Sequence, residues 1–276
     1  VLTGPKKDGL KKVTEEEVIA LLDEVKTSEI KDYEDEAVRS EMMSVKPSKG
    51  SIVDMTVKNH GKLNETVTLI LSNGAKVIYK KTDFKNDEVL FDAFSYGGSS
   101  LYSDEDFLQV VHANGGLAEA SLDGLSKNDM TKMMSGKIAR VRPSISAYSE
   151  NLRGSASPKD LETLFQMIHL YFTKLDKDTE AFASYVSKQK AFLGNIGSNP
   201  NVAFQLAVGK FLNEGNPRYT GLPSPEDLDK ANYDLAYEKY KERFANAGDF
   251  NFYFVGNIDE NKIGELAETY IASLPD

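Results

Sequence analysis

The fold of this chain is indicated most clearly by residues 88–116, EVLFDAFSYGGSSLYSDEDFLQVVHANGG. The apolar run VLFDAF is typical of a buried strand, and it ends at the glycine pair 97–98. Ser103 then opens a predicted helix as its N-cap residue. We expect the helix to end at the second glycine pair, residues 115–116. The stretch therefore predicts a strand, a glycine turn, a short loop and a helix.

The rest of the chain groups its strands and its helices separately. An Asn-Gly pair at 73–74 joins two apolar segments, residues 66–71 and 75–81, which predicts a β-hairpin. Ser-Pro pairs at 157–158 and 224–225 are typical helix starts. Because strands cluster and helices cluster, we predict an α+β fold. It has two layers, with helices packed on one face of a mostly antiparallel sheet of five or six strands.

The first 60 residues differ in character from the remainder. Thr14 opens a helical pattern of apolar residues, which weakens over residues 27–51. Charges alternate there through EIKDYEDEAVRSE, and Pro47 and Gly50 follow, which is typical of a linker that crosses a surface. We interpret residues 1–60 as the end of a preceding domain plus a helical inter-domain hinge, and residues 61–276 as an α+β domain. Since Val1 is not a start residue, we expect the chain to be a segment of a longer polypeptide.

Composition excludes several classes of function. The formal charge is -10 and the pI is about 5.0, which argues against nucleic acid and against an anionic membrane surface as partners. The absence of cysteine excludes disulfides, thiol nucleophiles and Cys-ligated zinc. No apolar run approaches the about 18 residues that a membrane span requires, so no membrane insertion is predicted.

Five stretches, in this order, resemble the M16 (pitrilysin-like) zinc metallopeptidases. They are LSNGAKVIYKKTD, VLFDAFSYGGSSLY, GSASPKDLETLFQMIHLYFT, NPRYTGLPSPEDL and FYFVGNIDENKIGELAETYIASLP, which together cover about residues 63–275. The likeness is greatest to long-chain bacterial zinc proteases similar to the PQQ-associated peptidase. The resemblance implies the fold shared by the metalloenzyme LuxS and the M16 peptidases, and a place as the third of four such units.

Active members of the family carry an inverted zinc motif, His-x-x-Glu-His, on the first helix. The chain has three histidines, His60, His112 and His169, and their spacing excludes the paired ligands of that motif. If His112 is aligned with the second histidine, Leu108 takes the place of the first and Val111 the place of the glutamate. We therefore predict no metal site and no catalytic residue in this chain, and zinc in the parent protein.

The resemblance implies a non-catalytic domain that forms part of a peptide-substrate chamber. Zinc-dependent peptide-bond hydrolysis would be carried out by a separate N-terminal half of the longer parent chain, on a peptide or unfolded protein substrate. The alternative is a scaffold or peptide-binding module of a protein with no peptidase activity. A third possibility is an unrelated α+β binding domain. The sequence does not determine the compartment, and the resemblance implies a periplasmic or cell-envelope parent.

Gly97 and Gly98 are the candidate contacts with substrate. The family holds its substrate by adding it as a strand to a sheet edge, and a glycine pair lets another backbone approach closely. A plain turn is the other interpretation of this pair.

Overall fold

The computed structural model describes residues 13–28, 39, 41–61, 65–196 and 199–276. Internal contacts divide the chain into residues 1–37 and residues 38–276. The first unit contains helix α1 (Glu15–Thr27). It begins as predicted, with a capping box in which the Glu17 amide donates to the Thr14 hydroxyl at 3.3 Å and the Thr14 amide to the Glu17 carboxylate at 3.1 Å.

The second unit is built on a seven-stranded sheet. The strands in chain order are β1 (Ile52–Asn59), β2 (Glu65–Leu71), β3 (Lys76–Lys81), β4 (Val89–Tyr96), β5 (Ser121–Leu122), β6 (Ala139–Ile145), β7 (Ser149–Ala156), β8 (Leu175–Asp176) and β9 (Asn251–Gly256). The large sheet has the order β1-β2-β3-β9-β4-β7-β6, while β5 and β8 form a separate pair. Only β3 and β9 run parallel among these pairings.

Eight helices of the described chain follow α1. They are α2 (Asp104–Val110), α3 (Lys127–Met133), α4 (Leu161–Thr173), α5 (Thr179–Ile196), α6 (Pro200–Leu212), α7 (Pro225–Asp229), α8 (Tyr233–Arg243) and α9 (Glu260–Leu266). Helix α9 continues into a π-helical turn, Ala267–Ile271. Short 3-10 helices at Gly98–Leu101 and Asn114–Glu119 flank α2. None of the helices in the described ranges is long and apolar enough to span a membrane.

The helices cover one face of the large sheet. Phe91 of β4 and Phe254 of β9 stack with ring centroids 5.0 Å apart, and Phe165 of α4 stacks on Phe254 at 4.8 Å. All three rings are buried, and each contributes about 1.5–3 kcal/mol to folding. On the opposite face, Leu90 remains 50% exposed and Val255 38%. The two-layer α+β fold predicted from the sequence is therefore confirmed.

The strand count is seven, against the predicted five or six. The added strand is β1, which pairs antiparallel with β2 from Ile52 to Asn59 and forms one edge of the sheet. Its sequence alternates apolar Val53, Met55 and Val57 with polar residues, which is the period of a strand, but the structure leaves all three apolar side chains exposed. The domain boundary was predicted at residue 60, so β1 lies within the segment interpreted as the hinge, although it pairs with β2 of the domain.

Part of the predicted linker is anchored to the domain. Met42 is 1% and Met43 8% exposed. The Arg39 guanidinium donates to the Asp123 carboxylate at 2.8 Å, and the Gly50 amide donates to the Glu268 carbonyl at 2.9 Å. Two adjacent methionines in a polar stretch leave no periodic pattern, so their burial was not visible in the sequence. Residues 29–38 and 40 of this linker, like residues 1–12, lie outside the described residues.

Helices begin at both Ser-Pro pairs as predicted, but the helical pattern that follows the second pair is interrupted. Ser224 caps α7 through a capping box with Asp227. The pattern that begins there does not run on as one helix, because Asn232 starts α8 by accepting a hydrogen bond from the Leu235 amide at 3.0 Å.

Candidate functional site

The structure places the aligned motif positions on α2 and just beyond it. Ser103 caps the helix by accepting a hydrogen bond from the Asp106 amide at 3.0 Å, as predicted. Leu108 is 48% exposed, and Val111 is half-buried at the C-cap. His112 lies in the turn that follows. Two of the three positions therefore carry apolar side chains, and the third lies outside the helix.

Helix α2 ends earlier than predicted, at Val110 instead of the glycine pair 115–116. That pair lies in the 3-10 helix Asn114–Glu119, where α5 passes closely. A Cβ on Gly116 would come within 2.3 Å of the Phe182 ring, and one on Gly115 within 2.1 Å of the Tyr185 hydroxyl. These glycines therefore permit close helix packing, and they do not terminate α2.

The early helix end matters for metal binding. Paired histidine ligands of the His-x-x-Glu-His type must project from one helix face at positions i and i+4. Because α2 ends at Val110, residue 112 lies outside the helix that carries residue 108. Within the described ranges, no group of three or more His, Asp or Glu side chains is arranged to hold a metal ion.

The three histidines occupy different environments. His112 is half-buried, and burial lowers its pKa while the nearby Asp227 carboxylate opposes that shift. His169 is 7% exposed and donates from Nδ1 to the Tyr270 carbonyl at 2.9 Å. Burial lowers its pKa as well, against the effect of that hydrogen bond. His60 is exposed, with Nε2 2.9 Å from the Thr66 hydroxyl. No two of them come together in one site.

The glycine turn 97–98 is held against the β6–β7 hairpin. Both glycines have positive φ, 146° for Gly97 and 60° for Gly98. The Gly97 amide donates to the Tyr148 carbonyl at 2.9 Å and the Gly98 amide to the buried Glu150 carboxylate at 2.7 Å. A Cβ on Gly98 would lie 2.4 Å from the Ser146 carbonyl oxygen. The pair is thus required for a tight turn and a close backbone approach.

The strand before this turn is an inner strand. β4 pairs with β7 on one side and with β9 on the other along most of its length. Gly97 and Gly98 therefore do not adjoin a free sheet edge, and their amides already donate within the chain. A contact between these glycines and a substrate strand stays a prediction.

Arg218 fastens the segment between the glycine turn and α2. Its guanidinium donates to the Ser99 carbonyl at 2.8 Å, to the Tyr102 carbonyl at 2.5 Å and to the Asp104 carboxylate at 2.7 Å. It also lies over the Phe107 ring, 5.2 Å from the centroid. The planar fork of arginine suits this set of acceptors. Arg218 is therefore a structural clamp on the candidate site, a role that the sequence did not indicate.

A buried polar cluster lies behind the turn. Lys239 forms an ion pair with Asp106 at 2.8 Å and lies over the Tyr102 ring at 5.3 Å. Burial raises the pKa of Tyr102 to about 12, and its hydroxyl is buried. Among the described residues, neither that hydroxyl nor the Arg243 Nε has a hydrogen-bond partner. This cluster supports the fold around α2, and it presents no metal-ligating set.

The face of the large sheet that no described helix of residues 38–276 covers, called the uncovered face below, is basic. Arg142 on β6 pairs with Arg153 on β7, which pairs with Asp92 on β4. A cavity of about 630 Å³ opens here, with Leu90 and Tyr253 also lining it. By strand register, the charged side chains of this face in the described strands are Lys58, Lys76, Lys80, Arg140, Arg142, Arg153, Asp54 and Asp92. Six are basic and two acidic, in a chain whose net charge is -10.

The sequence contains a local pattern that indicates part of this surface. Arg140 and Arg142 alternate with Val141 in the strand ARVRPSI. Alternation with period two places both arginines on one face and the valine on the other. Which strand lies beside β6, and hence which further charges join that face, depends on pairings that are distant in the chain.

Comparison with known proteins identifies relatives of the chain. No protein-family model matches it. It is 26% identical over 244 residues to the zinc protease PQQL-like of Arabidopsis thaliana, which covers 88% of this chain and 23% of the relative. It is also 26% identical over 206 residues to the probable zinc protease PqqL of Haemophilus influenzae, covering 74% of the chain and 22% of that protein. The chain thus spans about a quarter of the length of these relatives.

Solved structures share the fold. The periplasmic protease PqqL of Escherichia coli superposes with a TM-score of 0.71 at 20% identity, over 95% of this chain and 28% of that one. The ferredoxin protease FusC, solved as a mutant with Arabidopsis ferredoxin, gives 0.69 at 15% identity, over 96% and 29%. A peptidase M16 inactive domain from Pseudomonas fluorescens gives 0.58 at 14%, over 81% and 51%. The sequence relatives and the shared fold together confirm the resemblance predicted from the sequence: the chain is similar to PqqL-like zinc proteases and has the fold of an M16 peptidase domain.

Proposed function

We propose that this chain is a non-catalytic domain of an M16-type zinc metalloendopeptidase. It forms part of the chamber that encloses the peptide substrate, and the N-terminal half of the same polypeptide holds the zinc and hydrolyses the peptide bond. The observation that carries this proposal is the pair of apolar residues at the aligned motif positions, Leu108 and Val111, on a domain of M16 fold. An apolar side chain can neither bind zinc nor activate water.

The relatives support the same assignment. They are zinc proteases, and this chain spans only about a quarter of their length, which leaves room for a separate catalytic half. One structural neighbour is itself an inactive M16 domain. Zinc is therefore a cofactor of the parent protein in this proposal, and the chain contributes no ligand to it.

The substrate we propose is a peptide or an unfolded protein. A structural neighbour, FusC, was solved in complex with the protein ferredoxin, which supports a polypeptide substrate for this chain's parent. We place the parent in the periplasm or the cell envelope, because the E. coli neighbour is a periplasmic protease.

The test is a three-way comparison of zinc-dependent cleavage of an unfolded protein. The full polypeptide that contains this chain, the same polypeptide without residues 61–276, and this chain alone are assayed with and without a zinc chelator. We expect chelator-sensitive cleavage by the full polypeptide, little by the truncated form, and none by this chain alone. Chelator-sensitive cleavage by the chain alone would overturn the proposal.

A scaffold or peptide-binding module in a protein without peptidase activity is the second candidate. The basic, uncovered sheet face favours it, because such a surface can bind a polypeptide without any chemistry. The same comparison separates the two candidates. A full polypeptide that binds unfolded protein but cleaves none with zinc present would establish the scaffold.

A further inference from the structure

The uncovered sheet face carries more positive charge than its own residues neutralise. Arg153 donates from Nε to the Asp92 carboxylate at 3.0 Å, so this arginine has an ion-pair partner. Among the described residues, Arg140 donates to the neutral hydroxyl of Ser155, at 3.0 Å, and has no ion pair. Arg142 has no ion pair with any described residue. Two guanidinium groups on the edge strand β6 are thus exposed without a compensating carboxylate from the described chain.

Apolar side chains lie between these charges. Leu90 and Val255 are partners across β4 and β9 and are both exposed. Phe94 stacks on Tyr253 of β9, with centroids 5.8 Å apart, on the same face. An exposed mixture of arginine, leucine and aromatic side chains has the composition of a protein-binding surface.

The spacing of the charges favours a polymer over a small anion. Lys80 on β3 and Arg140 on β6 belong to one cross-strand row, separated by β9, β4 and β7. Four strand spacings of about 4.8 Å put about 19 Å between the ends of this row. An extended polypeptide covers that distance with about six residues. A single phosphate or carboxylate would reach only one end.

We propose that the uncovered sheet face binds acidic polypeptide segments, in which Asp or Glu residues meet Arg140, Arg142 and Lys80, and apolar residues meet Leu90, Val255 and Tyr253. This deepens the proposed function by naming the substrate class, and it rests on that function in taking the bound polymer to be a peptide. The overall charge of -10 would repel an acidic peptide from the rest of the molecule. Binding is therefore directed to this face by charge complementarity.

The experiment measures fluorescence anisotropy of labelled peptides with the full chain. The probe is a peptide of about 12 residues rich in Glu with interspersed Leu and Phe, and its control has Gln in place of every Glu. The variant is Arg140→Gln with Arg142→Gln. Its matched control, Lys174→Gln with Lys188→Gln, removes the same charge from exposed positions at the end of α4 and on α5.

We expect the Glu peptide to bind more tightly than the Gln peptide, and added salt to weaken its binding. The Arg variant should lose about fivefold in affinity, and the Lys variant should change little. Equal affinity for the two peptides, or an unchanged affinity in the Arg variant, would overturn the inference. Stronger binding of a short single-stranded DNA at the same face would overturn it in favour of nucleic acid.

This outcome can be separated from failure of the proposed function. The anisotropy measurement involves neither zinc nor hydrolysis, so it gives the same result whether or not the parent cleaves peptides. Conversely, a chamber wall that lacks this charge preference would leave the three-way cleavage comparison unaffected.

Discussion

The Nε of Arg218 donates to the carboxylate of Asp104 at 2.7 Å, across 114 positions of the chain. The same guanidinium reaches two carbonyls of the segment between the glycine turn and α2, those of Ser99 and Tyr102. The loop after α6 therefore holds the start of α2, the helix on which the motif alignment places Leu108.

Removing this clamp should destabilise the domain. Arg218→Ala loses three hydrogen bonds from a charged donor and the contact with the Phe107 ring. Because the group is partly exposed, we expect a loss of about 2 kcal/mol in the free energy of unfolding, measured by urea denaturation. Arg218→Lys keeps the charge but not the fork, so it should recover less than half of the loss. Wild-type stability in Arg218→Ala would contradict the clamp.

The glycine turn gives a prediction with a matched control. Gly98→Ala forces an alanine into φ 60° and places its Cβ 2.4 Å from the Ser146 carbonyl. Gly124→Ala meets a similar φ, 76°, with no described atom within 4 Å of the new Cβ. We expect Gly124→Ala to lower the free energy of unfolding by about 1 kcal/mol, because of its φ alone, and Gly98→Ala to lower it by clearly more. Equal losses in thermal denaturation would show that the close approach at Gly98 costs nothing.

Two buried tyrosines should respond differently to loss of their hydroxyls. The Tyr102 hydroxyl has no partner among the described residues, whereas that of Tyr240 donates to the Tyr171 carbonyl at 2.8 Å. Tyr102→Phe should leave stability unchanged or raise it slightly, because it removes a buried unsatisfied group. Tyr240→Phe should lower the free energy of unfolding by about 1 kcal/mol, because it removes a buried hydrogen bond. A loss in Tyr102→Phe as large as that in Tyr240→Phe would reveal a partner for the Tyr102 hydroxyl.

Stability should fall in mild acid because of His169. Burial holds the pKa of His169 below its ordinary value of 6.5, so protonation favours the unfolded chain. The stabilisation is complete above the unfolded pKa of about 6.5 and is lost as the pH falls through it towards the folded pKa. His169→Gln should therefore flatten the change in unfolding free energy between about pH 7 and about pH 5.5.

His112 contributes a change of the same sign, so the slope should shrink in His169→Gln without vanishing. The matched control is His60→Gln, at an exposed position. If the His60 variant flattened the pH dependence as much as the His169 variant, the assignment to the buried histidine would be wrong.

Local signals predicted most of the fold, because they depend on a few adjacent residues. The Asn73-Gly74 turn places Gly74 at φ 80° as its hairpin requires, and Ser224 caps α7 with a capping box. What the sequence did not reveal depends on tertiary packing. Edge strand β1 alternates apolar and polar residues but exposes its apolar side chains, and the burial of Met42 depends on packing that the residues around it in the sequence do not indicate.

The candidate site could likewise be predicted only in part. That the aligned motif positions hold no zinc ligand stays a prediction from the sequence, and it rests on Leu108 and Val111, whose side chains have no atom that coordinates a metal. The end of α2 at Val110 could not be predicted, because the glycine pair expected to close the helix instead allows the close approach of Phe182. The clamp by Arg218 links positions that only the folded chain brings together.

Zinc stoichiometry of the purified chain tests the central claim most directly. The chain is loaded with excess zinc, desalted and analysed for metal, alongside His112→Ala. A non-catalytic M16 domain predicts zinc well below one equivalent, and no difference between the two proteins. One tightly held zinc per chain, lost in His112→Ala, would contradict the claim and place a divergent active site in this domain.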